Sequence, residues 1–308
     1  MGLSRRGFIQ TASAAVGALA IGKPAKADSA PAGTADGQHS VLVDTVVCIG
    51  CRKCEWACNN QHKLSTRSLA SYEDKSVFAK MRRPDHDAYT VVNEFANPAA
   101  GAKPFTVKVQ CMHCLQPACV SACIVGALKK DSTGPVVYDA WKCIGCRYCM
   151  VACPFQIPAY EYHDATSPEV MKCTFCLERL KAGEKPACVG ICPNEALTFG
   201  TRREMLDLAR ARIRHHPDRY VDHIYGEHEA GGTDWLYLTP TPVENAGLPI
   251  LKEDPVPAVS ESIQHGIFKS FVPPLALYTL LGLIMRTTRR DQDQDSNTDS
   301  DEVNDGSN

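Results

Sequence analysis

Sixteen cysteines, all between residues 48 and 192, fall into four sets of four. The first is Cys48-x2-Cys51-x2-Cys54-x3-Cys58, and the second is Cys111-x2-Cys114-x4-Cys119-x3-Cys123. The third is Cys143-x2-Cys146-x2-Cys149-x3-Cys153 and the fourth Cys173-x2-Cys176-x11-Cys188-x3-Cys192. Thiolates are ligands for soft metal centres. A C-x2-C-x2-C loop can curl round one compact metal group, aiming three thiolates at it while its backbone N–H groups turn inward. Every set then closes with C-x3-C, and residues i and i+4 lie on one face of a helical turn. The last thiol is therefore displaced from its own loop and reaches a neighbouring group. Sets built this way work in pairs, each lending its fourth ligand to the other.

Three chemistries compete for so many thiols. Disulfides would need eight bridges, although a chain of 308 residues has no need of such staples and C-x2-C pairs make poor structural bridges. Zinc usually takes two well-separated C-x2-C knuckles per site rather than four thiols within one short run. The third set, followed by Pro154, has the spacing of the bacterial ferredoxin cluster run. The expectation is four [4Fe–4S] clusters, with sixteen ligands for sixteen iron sites. Pro193 likewise follows the fourth set, whereas Asn59 and Ile124 stand in those places after the first and second.

The elements that must hold these loops can be read in part. Residues 126–139 join sets two and three with strand-like apolar residues on both sides of a Gly134-Pro135 turn, which makes a complete two-cluster unit. Ala196-Leu197 after set four echoes Ala127-Leu128 after set two, so set four looks like half of a second, split unit, and set one is its free partner. Cys48, Cys51, Cys54 and Cys192 would then hold one cube, and Cys173, Cys176, Cys188 and Cys58 its neighbour. Cys111, Cys114, Cys119 and Cys153 would hold a third, and Cys143, Cys146, Cys149 and Cys123 a fourth. The expected fold class is α+β and ferredoxin-like, with two double-cluster modules in one body over residues 41–265. Within it, residues 203–216 carry Met205, Leu206, Leu208, Ala209 and Ile213 at helical spacing and read as a helix docked on the body. Residues 59–110 lack cysteine and read as an insertion.

Other polar residues near the ligands have two readings each. His113 would either tune its cluster by hydrogen bonding or pack as a surface imidazole. Arg52, Lys53 and Arg147 would either raise a cluster's potential or be solvated. Trp56 would shield a cluster, and His215, His216, His223 and His228, without tight metal spacing, read as structural. Electron transfer needs no acid, base or nucleophile, so no catalytic residue is expected and the chain is read as no enzyme by itself.

Composition agrees with a folded body. Hydrophobic content is 44% and charged content 22%, which excludes wholesale disorder and a multi-span membrane protein. Charge is concentrated at the ends: residues 1–27 hold Arg5, Arg6, Lys23 and Lys26 and no acid, and residues 291–308 hold seven acids and no base. The near-neutral body gives no support to nucleic-acid binding. Ser4-Arg5-Arg6-Gly7-Phe8-Ile9, a short apolar core and Ala25-Lys26-Ala27 are similar to a twin-arginine export signal, expected over residues 1–27 and followed by a linker over 28–40. Near the other end, residues 271–285 are uncharged and followed by Arg286, Arg289 and Arg290. Counting from Ile267 with a snorkelling Lys269 brings the run close to the lower limit of the about 20 residues that cross a bilayer, so a single C-terminal membrane anchor is expected over 266–286, its acidic tail (287–308) solvated on the cytoplasmic side.

The whole pattern resembles the iron–sulfur subunits of membrane-bound redox complexes, such as those of formate dehydrogenases, sulfur-compound and DMSO reductases, and hydrogenases. It is most similar to the HybA-type subunits of the quinone-linked hydrogenase 2 complex. The matching runs are Gln110–Cys114, Gly145–Pro154, Phe199–Glu204, His223–Glu227, Gly231–Thr233, Trp235–Leu238 and Ser262–His265. The twin-arginine signal and the single anchor favour the hydrogenase branch over the formate dehydrogenase one. The resemblance implies a relay: electrons from the small and large subunits of a nickel–iron hydrogenase pass through four clusters to an integral membrane subunit that handles quinone. It also implies a place on the periplasmic side of the bacterial inner membrane, with the anchor in lipid.

Overall fold

A computed structural model describes residues 37–99, 101–164, 167–269 and 275–286. The proposed signal, most of the linker and the acidic tail lie outside the described residues. In chain order the elements are β1 (His39–Asp44), α1 (Lys53–Gln61), β2 (Val91–Phe95), β3 (Phe105–Val109) and α2 (Ala118–Ser121). Next come β4 (Leu128–Lys130), β5 (Val136–Tyr138), α3 (Tyr148–Ala152), β6 (Ala159–Tyr160), β7 (Val170–Met171), α4 (Leu177–Lys181) and α5 (Ala187–Gly190). The last are β8 (Leu197–Thr201), α6 (Arg202–His215), β9 (Trp235–Leu238) and α7 (Ala258–Lys269).

One three-stranded sheet, in the order β8-β1-β9, organises the body, Asp28–Ala258. β1 runs antiparallel to β8 and parallel to β9, with Val43 opposite Leu197 and Val41 opposite Trp235. A central strand covered on both faces should be apolar throughout, and Val41, Leu42 and Val43 are all buried. Successive side chains alternate between the faces. Val41, Val43, Trp235 and Tyr237 enter a core that includes Cys58, Cys111, Cys173 and Cys188, and Leu42, Leu236 and Leu238 enter a second core.

That second core lies beneath α6. Met205, Leu206, Ala209 and Ile213 recur at helical spacing and pack with Leu42, Leu236, Leu238, Tyr220 and Ile224. The helix starts one residue earlier than the sequence pattern suggests, because Thr201 caps it: its hydroxyl accepts from the Glu204 N–H while the Glu204 carboxylate accepts from the Thr201 N–H. Asp44, at the end of β1, ties the helix to the strand. Its carboxylate accepts from Arg212 Nη1 and the Tyr220 hydroxyl, both at 2.7 Å, and from the backbone N–H of Val46.

Three two-stranded ribbons, β2-β3, β4-β5 and β6-β7, complete the strands. The β4-β5 ribbon is the hairpin expected between cysteine sets two and three, with Leu128 opposite Tyr138. Residues 59–110, expected as an insertion, contribute the β2-β3 hairpin; Val91, Val92, Phe105 and Val107 on it are buried. Beyond the body, residues 258–269 and 275–286 are helical. Among the described residues no helix is long and apolar enough to cross a membrane. Five residues of the expected anchor, 270–274, lie outside them.

Candidate functional site

The ligand loops of sets one and three share one backbone solution. Gly50 and Gly145 have φ of +64° and +70°, and Arg52 and Arg147, two residues on, have φ of +59° and +61°. Alternating left-handed residues fold successive N–H groups into a concavity that favours an anion. Glycine suits the positive φ at both positions, and space there is tight as well. A Cβ at Gly50 would stand 2.8 Å from Thr106 Cγ2, and one at Gly145 2.8 Å from the Tyr160 hydroxyl. Backbone N–H groups also reach the sulfurs: Gly145 N donates to Cys143 Sγ at 3.5 Å, Phe175 N to Cys173 Sγ at 3.4 Å and Ala127 N to Cys123 Sγ at 3.2 Å.

Strand and helix pairing arrange the loops in two constellations of the same build. β4 leaves set two and pairs antiparallel with β5, which enters set three. β8 leaves set four and pairs antiparallel with β1, which enters set one, although the two strands are far apart in the chain. The short helices follow suit, α2 packing on α3 and α1 on α5. Lacking a proline after Cys58, α1 runs on to Gln61 and places the Asn59 amide 2.7 Å from the Tyr72 hydroxyl. α2 stops at Ser121 without a proline, because the chain reverses through Gly126 into β4.

This packing brings thiols of different sets together. Cys48, Cys51 and Cys54 share a cavity with Cys192, lined also by Val92, Pro193 and Leu197. Burial pushes the Cys58 thiol well above its usual value, with Cys173, Cys188 and Cys176 as the charged neighbours acting in the same direction. Cys114 is raised likewise, by burial and then by Cys111, Cys153 and Cys119. Burial raises Cys149 to about 11, helped by Cys143, Cys146 and Cys123. All sixteen cysteines are free of disulfides. An all-thiol donor set, inward N–H groups and a cavity walled by thiols from two sets fit an iron–sulfur group.

The neighbouring polar residues differ in part from expectation. His113 is no surface imidazole. It is fully buried, its Nδ1 accepts from the Val136 N–H at 2.9 Å, and its ring meets Phe175 edge-on at 5.0 Å. Burial, and then the ammonium groups of Lys172, Lys130 and Lys108, hold it well below the usual histidine value. Arg52 is neither solvated nor a free positive charge. Its guanidinium is buried and paired with Glu55, with Nη2 to Oε2 at 2.9 Å. Arg147 lies over the rings of Tyr160 and Tyr162. Trp56 is half-buried. His223 pairs with Glu229 at 2.7 Å, as a structural histidine would.

Sequence reasoning missed two buried lysines, one half-buried lysine and one histidine. Lys130 Nζ pairs with Asp234 at 2.6 Å, and burial pushes that carboxyl up to about 6 although Lys130 pulls it down. Lys172 Nζ donates to the carbonyls of Val136 and Cys173. Lys108 Nζ donates to Gln110 Oε1 at 2.8 Å and sits over the Trp235 ring, 4.3 Å from its centroid. Nothing in the pattern of a strand marks a lysine as inward-facing. His62 stands 3.8 Å from Cys176 Sγ. Its one signal was its place four residues after Cys58, on the same helical face.

Around the third set the surface is apolar. Trp141, Ile144, Tyr148 and Val151 are exposed, Trp141 by 90%, and Cys146 is itself exposed.

Comparison with known proteins agrees with this geometry. Residues 103–202 match the family model of a 4Fe-4S dicluster domain. A protein of Nitratidesulfovibrio vulgaris is 47% identical over 249 residues, covering 80% of this chain and 67% of that one. The hydrogenase-2 operon protein HybA of Escherichia coli O157:H7 is 35% identical across 96% of this chain and 99% of its own length. The iron–sulfur subunit of the nitrate-inducible formate dehydrogenase of Escherichia coli K12 is 32% identical, covering 79% of this chain and 82% of that subunit. The fold is thus a ferredoxin-like 4Fe-4S dicluster domain of mixed α and β content. Matched by HybA over nearly the whole of both chains, and carrying a 4Fe-4S dicluster domain, the chain belongs to the HybA-type family of iron–sulfur subunits.

Proposed function

We propose that this chain is a non-catalytic electron-transfer subunit holding four [4Fe–4S] clusters, which links the small and large subunits of a nickel–iron hydrogenase to an integral membrane subunit that handles quinone. The observation that carries the reading is the gathering of thiols from paired sets, in which Cys192 from set four lines one cavity with Cys48, Cys51 and Cys54. On this reading Cys173, Cys176, Cys188 and Cys58 hold the second cluster. Cys111, Cys114, Cys119 and Cys153 hold the third, and Cys143, Cys146, Cys149 and Cys123 the fourth. Bound iron–sulfur groups supply one-electron redox chemistry. The chain's own part is to present thiolates at fixed spacing, donate backbone N–H groups to sulfur and exclude water with Trp235, Phe175 and Tyr237, all buried. The exposed apolar residues around set three support a subunit that is covered by a partner, since isolated proteins seldom leave such patches open.

Formate dehydrogenase iron–sulfur subunits are also relatives, at 32% identity, so a formate donor is the second reading. Hydrogen and formate are to be added separately to the complex purified without oxygen, with the cluster signals followed by low-temperature EPR. Hydrogen alone should reduce the clusters, and a nickel-containing subunit should co-purify. Reduction by formate alone, or silence with both, would sink the hydrogenase donor.

Location belongs to the same proposal: export by the twin-arginine route, a body on the periplasmic side and an anchor over residues 266–286. The uncharged run 271–285 and the arginines after it support this. A chain ended after residue 265 should leave the membrane fraction when its membrane partner is absent. Retention of the shortened chain there would count against the anchor.

A further inference from the structure

A buried ammonium costs several kcal/mol unless charge of the opposite sign compensates it. Lys108, on β3, is 2% exposed, and among the described residues no carboxylate oxygen lies within 4.0 Å of its Nζ. Lys130 differs, for Asp234 answers it. The neutral partners of Lys108, the Gln110 side-chain carbonyl at 2.8 Å and the face of Trp235, position the ammonium without cancelling its charge. What it faces is sulfur. Lys108 lines the same cavity as Cys48, Cys51, Cys54 and Cys192, and its charged neighbours include Cys54 of set one and Cys173 and Cys188 of set four.

We propose that Lys108 is the built-in counter-ion of the thiolates of sets one and four, and that its charge raises the reduction potentials of the two clusters held there. The inference rests on the four-cluster reading above. Each cluster with four thiolates is an anion, and one-electron reduction adds a further negative charge without transferring an atom. A fixed positive charge nearby stabilises the more negative, reduced state more than the oxidised one, and the effect is large because the site is dry. Arg52, in the ligand loop of set one, does not take its place, because its guanidinium is held by Glu55 and by the carbonyls of Tyr72 and Asp74.

The test is an EPR-monitored redox titration of the intact complex with dithionite, with iron and sulfide counted per chain. The relevant signals are those lost in Cys192→Ala and Cys188→Ala. Lys108→Met should retain the iron and lower the midpoint of at least one of these signals. The reduced-to-oxidised ratio at a fixed potential should fall at least tenfold, which is about 59 mV for one electron. Gln110→Glu leaves the lysine in place but sets a carboxylate beside it, and should shift the same midpoint downward. Lys108→Arg should stay within threefold of the parent ratio. A purely structural role would not move a potential, so full iron with unchanged midpoints in Lys108→Met overturns the proposal. Should Lys108→Met fail to assemble, unchanged midpoints in Gln110→Glu overturn it equally. Iron well below about sixteen atoms per chain in the parent protein overturns the four-cluster reading itself.

Discussion

Replacing Cys192 by alanine is expected to abolish the same iron–sulfur signal as replacing Cys48. The two residues are far apart in the chain and belong to different cysteine sets, yet they wall one cavity with Cys51 and Cys54. The cause is the pairing of β8 with β1, which sets Leu197 opposite Val43 and so carries the end of set four to the start of set one. Each variant should fall short of the parent by about four iron atoms per chain, and their EPR spectra should lack the same component. Cys188→Ala, only four residues away in sequence, should remove a different one. Were Cys192→Ala and Cys188→Ala to lose one and the same component, while Cys48→Ala lost another, the pairing of sets would be wrong.

Glu55→Ala should be the most damaging substitution outside the cysteines. The carboxylate is 2% exposed and accepts five hydrogen bonds. Arg52 supplies two through Nε and Nη2, Arg82 two through Nη1 and Nη2, and the Val92 N–H the last, at 2.6 Å. It thereby joins the ligand loop of set one to β2. Its loss leaves Arg52, itself 4% exposed, with the carbonyls of Tyr72 and Asp74 and the face of the Tyr72 ring, and without a carboxylate. Removing one partner of a buried ion pair costs about 3–5 kcal/mol, far more than an exposed pair is worth. The check is the denaturant concentration at which iron–sulfur absorbance disappears, measured without oxygen. Glu55→Ala should lower it strongly. Glu55→Gln, which keeps an acceptor for Val92 and the shape of the side chain, should fall between the two. A shift within about 0.5 kcal/mol of the parent, the range of ordinary surface substitutions, would show that the pair carries no such weight.

Where spacing and polymer geometry suffice, the sequence was legible. The grouping of the cysteines, the short helical turns that end each set and the hairpin between sets two and three follow from periods of two to four residues. So does the apolar face of α6, whose start needed only the Thr201–Glu204 capping pair to be placed correctly. The split second constellation could be read from the echo after set four, because the chain repeats the same local solution twice. The central sheet was harder: Trp235–Leu238 reads as a strand, but its parallel partner β1 is almost two hundred residues away.

Charge was the part that local pattern could not decide. Arg52 and Arg147 stand inside ligand loops, yet one is bound to Glu55 and the other lies on tyrosine rings. Lys108 sits in Phe-Thr-Val-Lys-Val, where alternation suggests a polar face turned to water. It is turned inward because the ligand loop of set one covers that face: the Thr106 hydroxyl donates to the Cys48 carbonyl at 3.5 Å, and Thr106 fills the space a side chain at Gly50 would need. His113 stood open between two readings for a like reason, since the approach of β5 takes up its Nδ1 in the interior. By itself, then, the sequence determined the thiols, their spacing and their local loops, because these depend on covalent spacing and backbone conformation. Which side chains lose their water, and hence which charges still act at the cysteines, only the tertiary structure decided, because desolvation depends on segments distant in the chain closing over one another.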